Sequence, residues 1–167
     1  MNLVKYATAC GAKALVMCPL NEGKPVGRES LVAALKAVKP ILQEHGLTGL
    51  VEPLGFHFSS MRTKAEAISA IVEADGGGTF KLVHDTFHHH LPGETAFYPE
   101  WTGLVHISGV TDPAVTVDDM LDAHRVLVDD RDRLGNMAQI RALLAAGYKG
   151  PFSFEPFSAE VQALVNP

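Results

Sequence analysis

Short apolar runs alternate along the chain with segments in which apolar side chains recur every three or four residues. Runs of four to six apolar residues are typical of buried strands, and the wider spacing is typical of amphipathic helices. The predicted strands are residues 14–18, 47–51, 80–83, 102–107 and 151–154. The predicted helices are residues 4–10, 28–45, 61–75, 137–146 and 158–165, and residues 117–123 are predicted to form one or two helical turns.

The ends of two predicted helices carry capping signals. Thr63 with Glu66 three residues later has the capping-box pattern, and Asn136 is the expected N-cap of the helix at 137–146. The alternation of strands and helices favours a parallel sheet with right-handed crossovers and with both faces covered. The sequence therefore predicts one α/β domain, residues 1–167, as either an open doubly wound sheet or a (β/α) barrel.

Composition narrows the function classes. The chain has 167 residues, 47% of them hydrophobic, and a net charge of −5 without any basic run, so no nucleic-acid partner is expected. No signal peptide and no apolar stretch of about 18 residues is present, so a cytoplasmic protein without a membrane span is expected. Cys10 and Cys18 are too few for a disulfide scaffold and indicate packing residues in a reducing compartment.

Four of the predicted strands run directly into a side chain that can bind a metal: Glu52, Asp85, His106 and Glu155. The carboxyl ends of parallel strands lie at the same edge of a sheet, so these groups converge if the sheet closes toward a barrel. Three carboxylates and an imidazole without a thiolate suit Mn²⁺, Mg²⁺, Co²⁺ or Zn²⁺. A strand-end acid or histidine alone is usually solvated or structural, and the prediction depends on the coincidence of the four.

The motifs GLVEPLGF with Glu52, HDTFHHH with Asp85 and His88, LVHISGV with His106 and FSFEPF with Glu155 resemble the xylose isomerase-like TIM-barrel superfamily. Its members include inosose isomerases and dehydratases of inositol catabolism, ketose 3-epimerases and hydroxypyruvate isomerase. Endonuclease IV is a more distant member. The resemblance covers residues 47–157 well and the rest of the chain loosely, and it is more specific for the superfamily than for a substrate.

The resemblance implies a role for each of these residues. Glu52, Asp85, His106 and Glu155 resemble the ligands of one divalent ion, with Mn²⁺ the first expectation, and His88 resembles a histidine that contacts substrate oxygens. In the epimerase branch the two glutamates face each other across the substrate carbon. Glu52 and Glu155 are therefore expected to exchange a proton while the metal polarises a carbonyl or hydroxyl. The implied activity is isomerisation, epimerisation or dehydration of a sugar or inositol-derived ketone through an enediolate.

The sequence departs from the epimerase pattern at one substrate-binding position. An arginine follows the metal histidine by a few residues in that branch, but Asp112 stands there in this chain. Arg125, Arg131 and Arg133 are the candidate replacements, and the alternative is that the basic side chains belong to a solvated, salt-bridged loop. The second Asp-x-His of endonuclease IV is absent after His106, so a phosphodiesterase is the less favoured alternative.

The chain is also short for a complete barrel, which typically takes about 250 residues. By the resemblance, its strands correspond to strands four to eight, so the predicted fold is a partial (β/α) TIM barrel of about five parallel strands with flanking helices. Open strand edges expose apolar groups, and we expect a homo-oligomer that covers them. The alternative is a catalytically inactive or incomplete fragment that retains metal binding or only a fold role.

Overall fold

A computed structural model describes residues 2–164, which alternate between strands and helices. The strands are β1 (Ala14–Met17), β2 (Thr48–Val51), β3 (Phe80–Asp85), β4 (Thr102–Ile107) and β5 (Phe152–Phe154). The α-helices are α1 (Asn2–Ala9), α2 (Arg28–Glu44), α3 (Lys64–Glu73), α4 (Thr86–His90), α5 (Asn136–Ala145) and α6 (Ala159–Ala163). Single 3₁₀ turns at Val117–Asp119 and Asp122–His124 confirm the predicted helical turns in this region.

The strands form one sheet in the order in which they occur along the chain. Strand β1 pairs in parallel with β2, β2 with β3, and β4 with β5. Helices between successive parallel strands define the α/β class, and the strand order is that of part of a TIM barrel. The predicted fold class is therefore confirmed.

The described residues divide into two compact units. The first comprises the chain up to Leu54 together with Phe58–Val83, and the second comprises Gly55–His57 and the chain from His84 onward. The boundary falls inside β3, so this strand contributes residues to both units. The prediction of a single domain stays a prediction.

In the first unit, α2 and α3 pack against each other and α2 packs against β2. The helical spacing seen in the sequence explains this packing, because Val32, Leu35 and Leu42 repeat on one face of α2 and are buried. Thr63 caps α3 as predicted: its hydroxyl accepts from the Glu66 N–H, and the Glu66 carboxylate accepts from the Thr63 N–H at 3.0 Å.

The second unit has its core between β4 and α5. Val105, Ile107, Leu143 and Tyr148 form the buried cluster, and Phe97, Val128 and Ile140 pack against it. The alternation along β4 places Val105 and Ile107 in this cluster, so His106 between them lies on the other face of the strand. Packing on one face of β4 thus determines where its histidine points.

Some predicted boundaries differ in the structure. Strand β3 continues to Asp85, and the three histidines that follow belong to the helix α4, which the sequence analysis did not predict. Asn136 is the first residue of α5 and not its N-cap, which is Gly135 with φ of 71°. The predicted last helix was placed at 158–165, whereas α6 spans Ala159–Ala163, and residue 165 lies outside the described part of the chain.

The two outermost strands are not covered on both faces as predicted. Val16 in β1 is 43% exposed, and Phe154 in β5 is 66% exposed. An outer strand has a neighbour on only one side, which leaves its side chains less protected. The prediction that Cys10 and Cys18 are packing residues is also wrong, because both residues are exposed. Oligomerisation that covers the strand edges stays a prediction.

Among the described residues, no helix has the length and apolar character that a membrane crossing requires.

Replacing Thr63 by alanine removes the hydroxyl that accepts from the Glu66 N–H. We expect the free energy of unfolding to fall by about 1 kcal/mol, measured by urea denaturation. Thr95→Ala is the control, because Thr95 is exposed in the segment between α4 and β4. Equal losses in the two variants would contradict the assignment of the capping box.

Burial raises the pKa of Tyr148 to about 12, and its hydroxyl donates to the Pro151 carbonyl at 2.8 Å. A raised pKa stabilises the fold below the unfolded value of about 10 and loses this contribution as the pH rises toward the folded value. We expect the stability of the wild-type protein to fall more steeply between about pH 10 and pH 12 than that of Tyr148→Phe. Parallel profiles of unfolding free energy against pH would contradict this expectation.

Candidate metal centre

Asp85 ends β3 and is also the N-cap of α4. Its Oδ1 accepts from the backbone N–H groups of Phe87 at 2.8 Å and His88 at 3.0 Å. This cap fixes the rotation of the carboxylate and leaves Oδ2 for other partners. The local sequence therefore orients a buried acid at the carboxyl end of a strand, where active sites of barrel enzymes lie.

His106 and Glu155 follow in the second unit at the carboxyl ends of β4 and β5. His106 Nδ1 lies 3.1 Å from Glu155 Oε2 and 3.9 Å from Asp85 Oδ2. The backbone places Glu155 beside β4, since its N–H donates to the Ile107 carbonyl at 2.9 Å. The structure thus brings Asp85, His106 and Glu155 together, as the strand-end pattern predicts.

The Arg125 side chain joins the two carboxylates. Its Nη2 donates to Asp85 Oδ2 at 2.5 Å and to Glu155 Oε2 at 3.0 Å. The guanidinium is 1% exposed and lies between the rings of Phe87 and Phe157, with Cζ 5.0 and 4.9 Å from the ring centroids. Such stacking suits the planar, weakly hydrated guanidinium and would not suit an ammonium equally well.

The charges at this site stabilise one another despite their burial. Burial alone would raise the pKa of Asp85, but the Arg125 guanidinium, followed by His88 and His106, holds it below its ordinary value. Burial would likewise lower the pKa of Arg125, but Asp85 and then Glu155 raise it above its ordinary value. Asp85 is therefore an ionised carboxylate at neutral pH, which is the form that binds cations.

His88 lies beside this cluster in the second unit. Its Nδ1 accepts from the Gly55 N–H at 3.3 Å, and its Nε2 lies 3.5 Å from Arg125 Nη1, a group that can only donate. Only glycine fits at position 55, because a Cβ there would meet the His88 carbonyl oxygen and lie 2.8 Å from Leu91 and Pro92. The Gly55 backbone and the Arg125 guanidinium thus each lie against one ring nitrogen of His88 and hold the imidazole in place.

Glu52 belongs to the first unit and follows β2 directly. It is 3% exposed, and its Oε2 accepts from the Cys18 thiol at 3.6 Å. Strand β2 carries Glu52 at its carboxyl end, as β3 carries Asp85. Its burial and its place at the carboxyl end of a strand keep Glu52 a candidate ligand.

The remaining predicted site residues lie elsewhere in the second unit. The Arg131 side chain is 72% exposed and pairs with Asp129 at 2.5 Å, as in the solvated-loop alternative. Arg133 Nη1 donates to the backbone carbonyls of Asp112 and Val115, so it ties this loop together. Substrate contact by Arg131 or Arg133 stays a prediction.

Two residues of the cluster were missed by the sequence analysis. Ser108 is fully buried, and its hydroxyl accepts from Arg125 Nε at 2.9 Å. Asp122 Oδ1 accepts from Arg125 Nη1 at 3.1 Å. Ser108 lies two residues after His106, the candidate metal ligand. Residues two apart in an extended chain lie on the same face, and this spacing could have identified Ser108. Asp122 begins a 3₁₀ turn, and no local pattern predicts that its side chain meets Arg125.

The donor set fits a divalent ion. One ligand atom from each of Asp85, His106 and Glu155 lies within 4.8 Å of the others, close to the separation that two ligands of one ion have. Glu52 as a further ligand of the same ion stays a prediction. An oxygen-rich set with one imidazole suits hard or borderline divalent ions.

The strand order and these side chains define an α/β protein of the barrel class with a candidate metal centre at the strand ends. A family model described as xylose isomerase-like TIM barrel matches residues 1–166. The chain belongs to this family, as the motifs around Glu52, Asp85, His106 and Glu155 predicted.

Solved structures show the same fold. A xylose isomerase domain-containing protein from Salmonella typhimurium LT2 is 38% identical, with a TM-score of 0.90 over 97% of this chain and 61% of that one. An IolI protein solved with a bound zinc atom is 22% identical, with a TM-score of 0.85 over 98% of this chain and 60% of that one. An L-ribulose 3-epimerase is 22% identical, with a TM-score of 0.67 over 98% of this chain and 55% of that one.

The chain spans about 60% of the length of these structures. A search of curated proteins gave no significant match. The comparisons thus establish the family and the fold, and the activity has to be argued from the site.

Replacing Arg125 by methionine leaves the buried Asp85 carboxylate without its cation. We expect a loss of about 3–5 kcal/mol in the free energy of unfolding, measured by urea denaturation without added metal. Asp85→Asn combined with Arg125→Met should recover part of this loss, because the uncompensated charge is gone. Strictly additive effects in this double-mutant cycle would contradict direct coupling of the two groups.

Proposed function

We propose that the protein is a divalent-metal-dependent isomerase, epimerase or dehydratase that acts on a sugar or inositol-derived ketone by proton transfer. The observation that carries this proposal is the meeting of Asp85, His106 and Glu155 at the carboxyl ends of three successive strands. A divalent ion bound there would polarise a carbonyl and stabilise negative charge on its oxygen. The family membership supports the same reaction class.

The two carboxylates of the cluster are suited to different tasks. Asp85 accepts two backbone N–H groups on one oxygen and the Arg125 guanidinium on the other, and its side chain is fully buried. Glu155 is 28% exposed at its side chain, and its hydrogen bond from Arg125 and its contact with His106 both involve Oε2. Asp85 is therefore suited only to binding the ion. Glu155 is suited to binding the ion and also to reaching a substrate carbon as a base.

Glu52 is proposed as the fourth ligand and as the partner of Glu155 in proton exchange. Its burial and its position after β2 support this role. A base on one side of an enediolate and an acid on the other allow a proton to leave one face of a carbon and return to the opposite face or to the neighbouring carbon. Epimerisation and isomerisation are thus available to the same pair of glutamates.

The substrate class follows from the polar groups near these carboxylates. His88 is proposed to contact a substrate oxygen, since its buried ring lies 3.5 Å from the Arg125 guanidinium that joins Asp85 to Glu155. Arg131 and Arg133 are proposed as further contacts of a polyhydroxylated substrate. A vicinal hydroxy-ketone supplies both the acidic carbon–hydrogen bond and the two oxygens that such a site would hold.

Mn²⁺ is proposed as the ion, because three of the four ligands are carboxylates and hard oxygen donors favour it over softer alternatives. Mg²⁺, Co²⁺ and Zn²⁺ fit the same donors. The zinc atom of the IolI structure is a property of that protein and supports only the presence of a metal in this fold.

The proposal is tested by measuring bound Mn²⁺ in the purified protein by calorimetry, and then deuterium uptake from D₂O into a panel of ketoses and inososes. We expect about one ion per chain and metal-dependent uptake at the carbon beside the carbonyl. Glu155→Gln should lower both, because it removes a ligand charge and the base. Glu44→Gln is the control, since Glu44 is exposed at the end of α2.

Each other outcome points to a different function. Stoichiometric Mn²⁺ without any deuterium uptake would favour an incomplete barrel that only binds metal, in keeping with the chain's share of its relatives' length. Incision of abasic DNA would instead place the protein with the phosphodiesterases. Wild-type protein that binds no divalent ion would overturn the proposal.

A further inference from the structure

Arg125 donates to two of the candidate metal ligands, Asp85 and Glu155. Its three nitrogen atoms are all engaged: Nε with Ser108, Nη1 with Asp122 and, at 3.5 Å, with His88 Nε2, and Nη2 with both Asp85 and Glu155. The side chain is 1% exposed. A guanidinium with these partners acts on the carboxylates directly and has little surface left for a substrate.

The backbone of Arg125 holds the same region of the chain. Its carbonyl oxygen accepts from the N–H groups of Phe157 at 3.0 Å and Ser158 at 2.8 Å, just beyond Glu155. The Phe157 ring then packs on the Arg125 guanidinium. One residue therefore fixes both the path of the chain after β5 and the carboxylate at the end of that strand.

The segment that carries Arg125 is itself anchored to the end of β4. Gly109 and Val126 exchange two backbone hydrogen bonds of 2.8 Å. The Ser108 hydroxyl accepts from Arg125 Nε immediately before this bridge. The end of β4, the strand that carries His106, thus holds the guanidinium in place. The guanidinium in turn holds the Asp85 and Glu155 carboxylates through its hydrogen bonds.

We propose that Arg125 is a positioning residue for the metal centre: it sets the orientation of Asp85 and Glu155 toward the ion and does not itself contact the substrate. Asp122 supports it by holding Nη1 at 3.1 Å. This inference rests on the proposed function, since it concerns the same metal centre. The planar fork of arginine can bridge two carboxylates in fixed geometry, whereas the single ammonium of lysine cannot.

The test compares Mn²⁺ affinity in wild-type protein, Arg125→Lys and Arg28→Lys by calorimetry. Arg125→Lys keeps the positive charge and changes only its geometry, so we expect Mn²⁺ binding to weaken by about 10- to 100-fold. Arg28 is the matched control, because it also pairs with a carboxylate, that of Glu73, but at the surface of the first unit. Arg28→Lys should bind Mn²⁺ as the wild type does.

Thermal unfolding without metal shows whether each variant is folded. A positioning role predicts weaker Mn²⁺ binding in a variant that is still folded. If Arg125→Lys is folded and binds Mn²⁺ as tightly as wild type, the inference is overturned while the proposed function stands. Asp122→Ala provides a second variant should Arg125→Lys not fold. It should weaken Mn²⁺ binding by about threefold, the effect of losing a partly exposed ion pair, and an unchanged affinity would overturn the inference. Wild-type protein that binds none of Mn²⁺, Mg²⁺, Co²⁺ and Zn²⁺ would overturn both.

Discussion

The buried contact of one guanidinium with two carboxylates is the interaction on which the candidate site depends. Asp85 is fully buried at its side chain and Arg125 nearly so, and neither charge would be tolerated there without the other. Their contact keeps Asp85 ionised and holds Glu155 next to His106. The chemistry proposed for this protein therefore begins with charge pairing inside the second unit.

Core packing and helix capping place His106 and Asp85 at the candidate metal centre. The apolar residues of β4 face the core, which turns His106 to the opposite face of the strand. The first turn of α4 uses Asp85 as its cap, which fixes the carboxylate that follows β3. Ordinary determinants of secondary structure thus also set the geometry of the ligands.

The strands and longer helices could be predicted from the sequence because apolar periodicity decides them locally. β4 was predicted at its observed bounds, and the Thr63 cap was read from residue type and spacing. The strand-end acids and the histidine could be predicted because parallel strands share a direction. Helix α4 was missed, since five residues rich in histidine carry no amphipathic period.

The partners of Arg125 could not be predicted for a different reason. Asp122 and Ser108 lie 3 and 17 positions from Arg125 along the chain and meet it through a chain path that tertiary contacts determine. Sequence patterns identify residues that could bind a metal, but not the side chains that orient them. The resemblance to a family supplied roles for the ligands and left this arginine as one of three candidates.

The most direct test of the metal centre is pulsed electron paramagnetic resonance of the Mn²⁺-loaded protein. The account predicts a modulation from one imidazole nitrogen that disappears in His106→Gln and persists in His124→Gln, whose ring lies at an exposed turn and accepts from the Leu121 N–H. An ion surrounded only by water, or a nitrogen signal unchanged in His106→Gln, would contradict it.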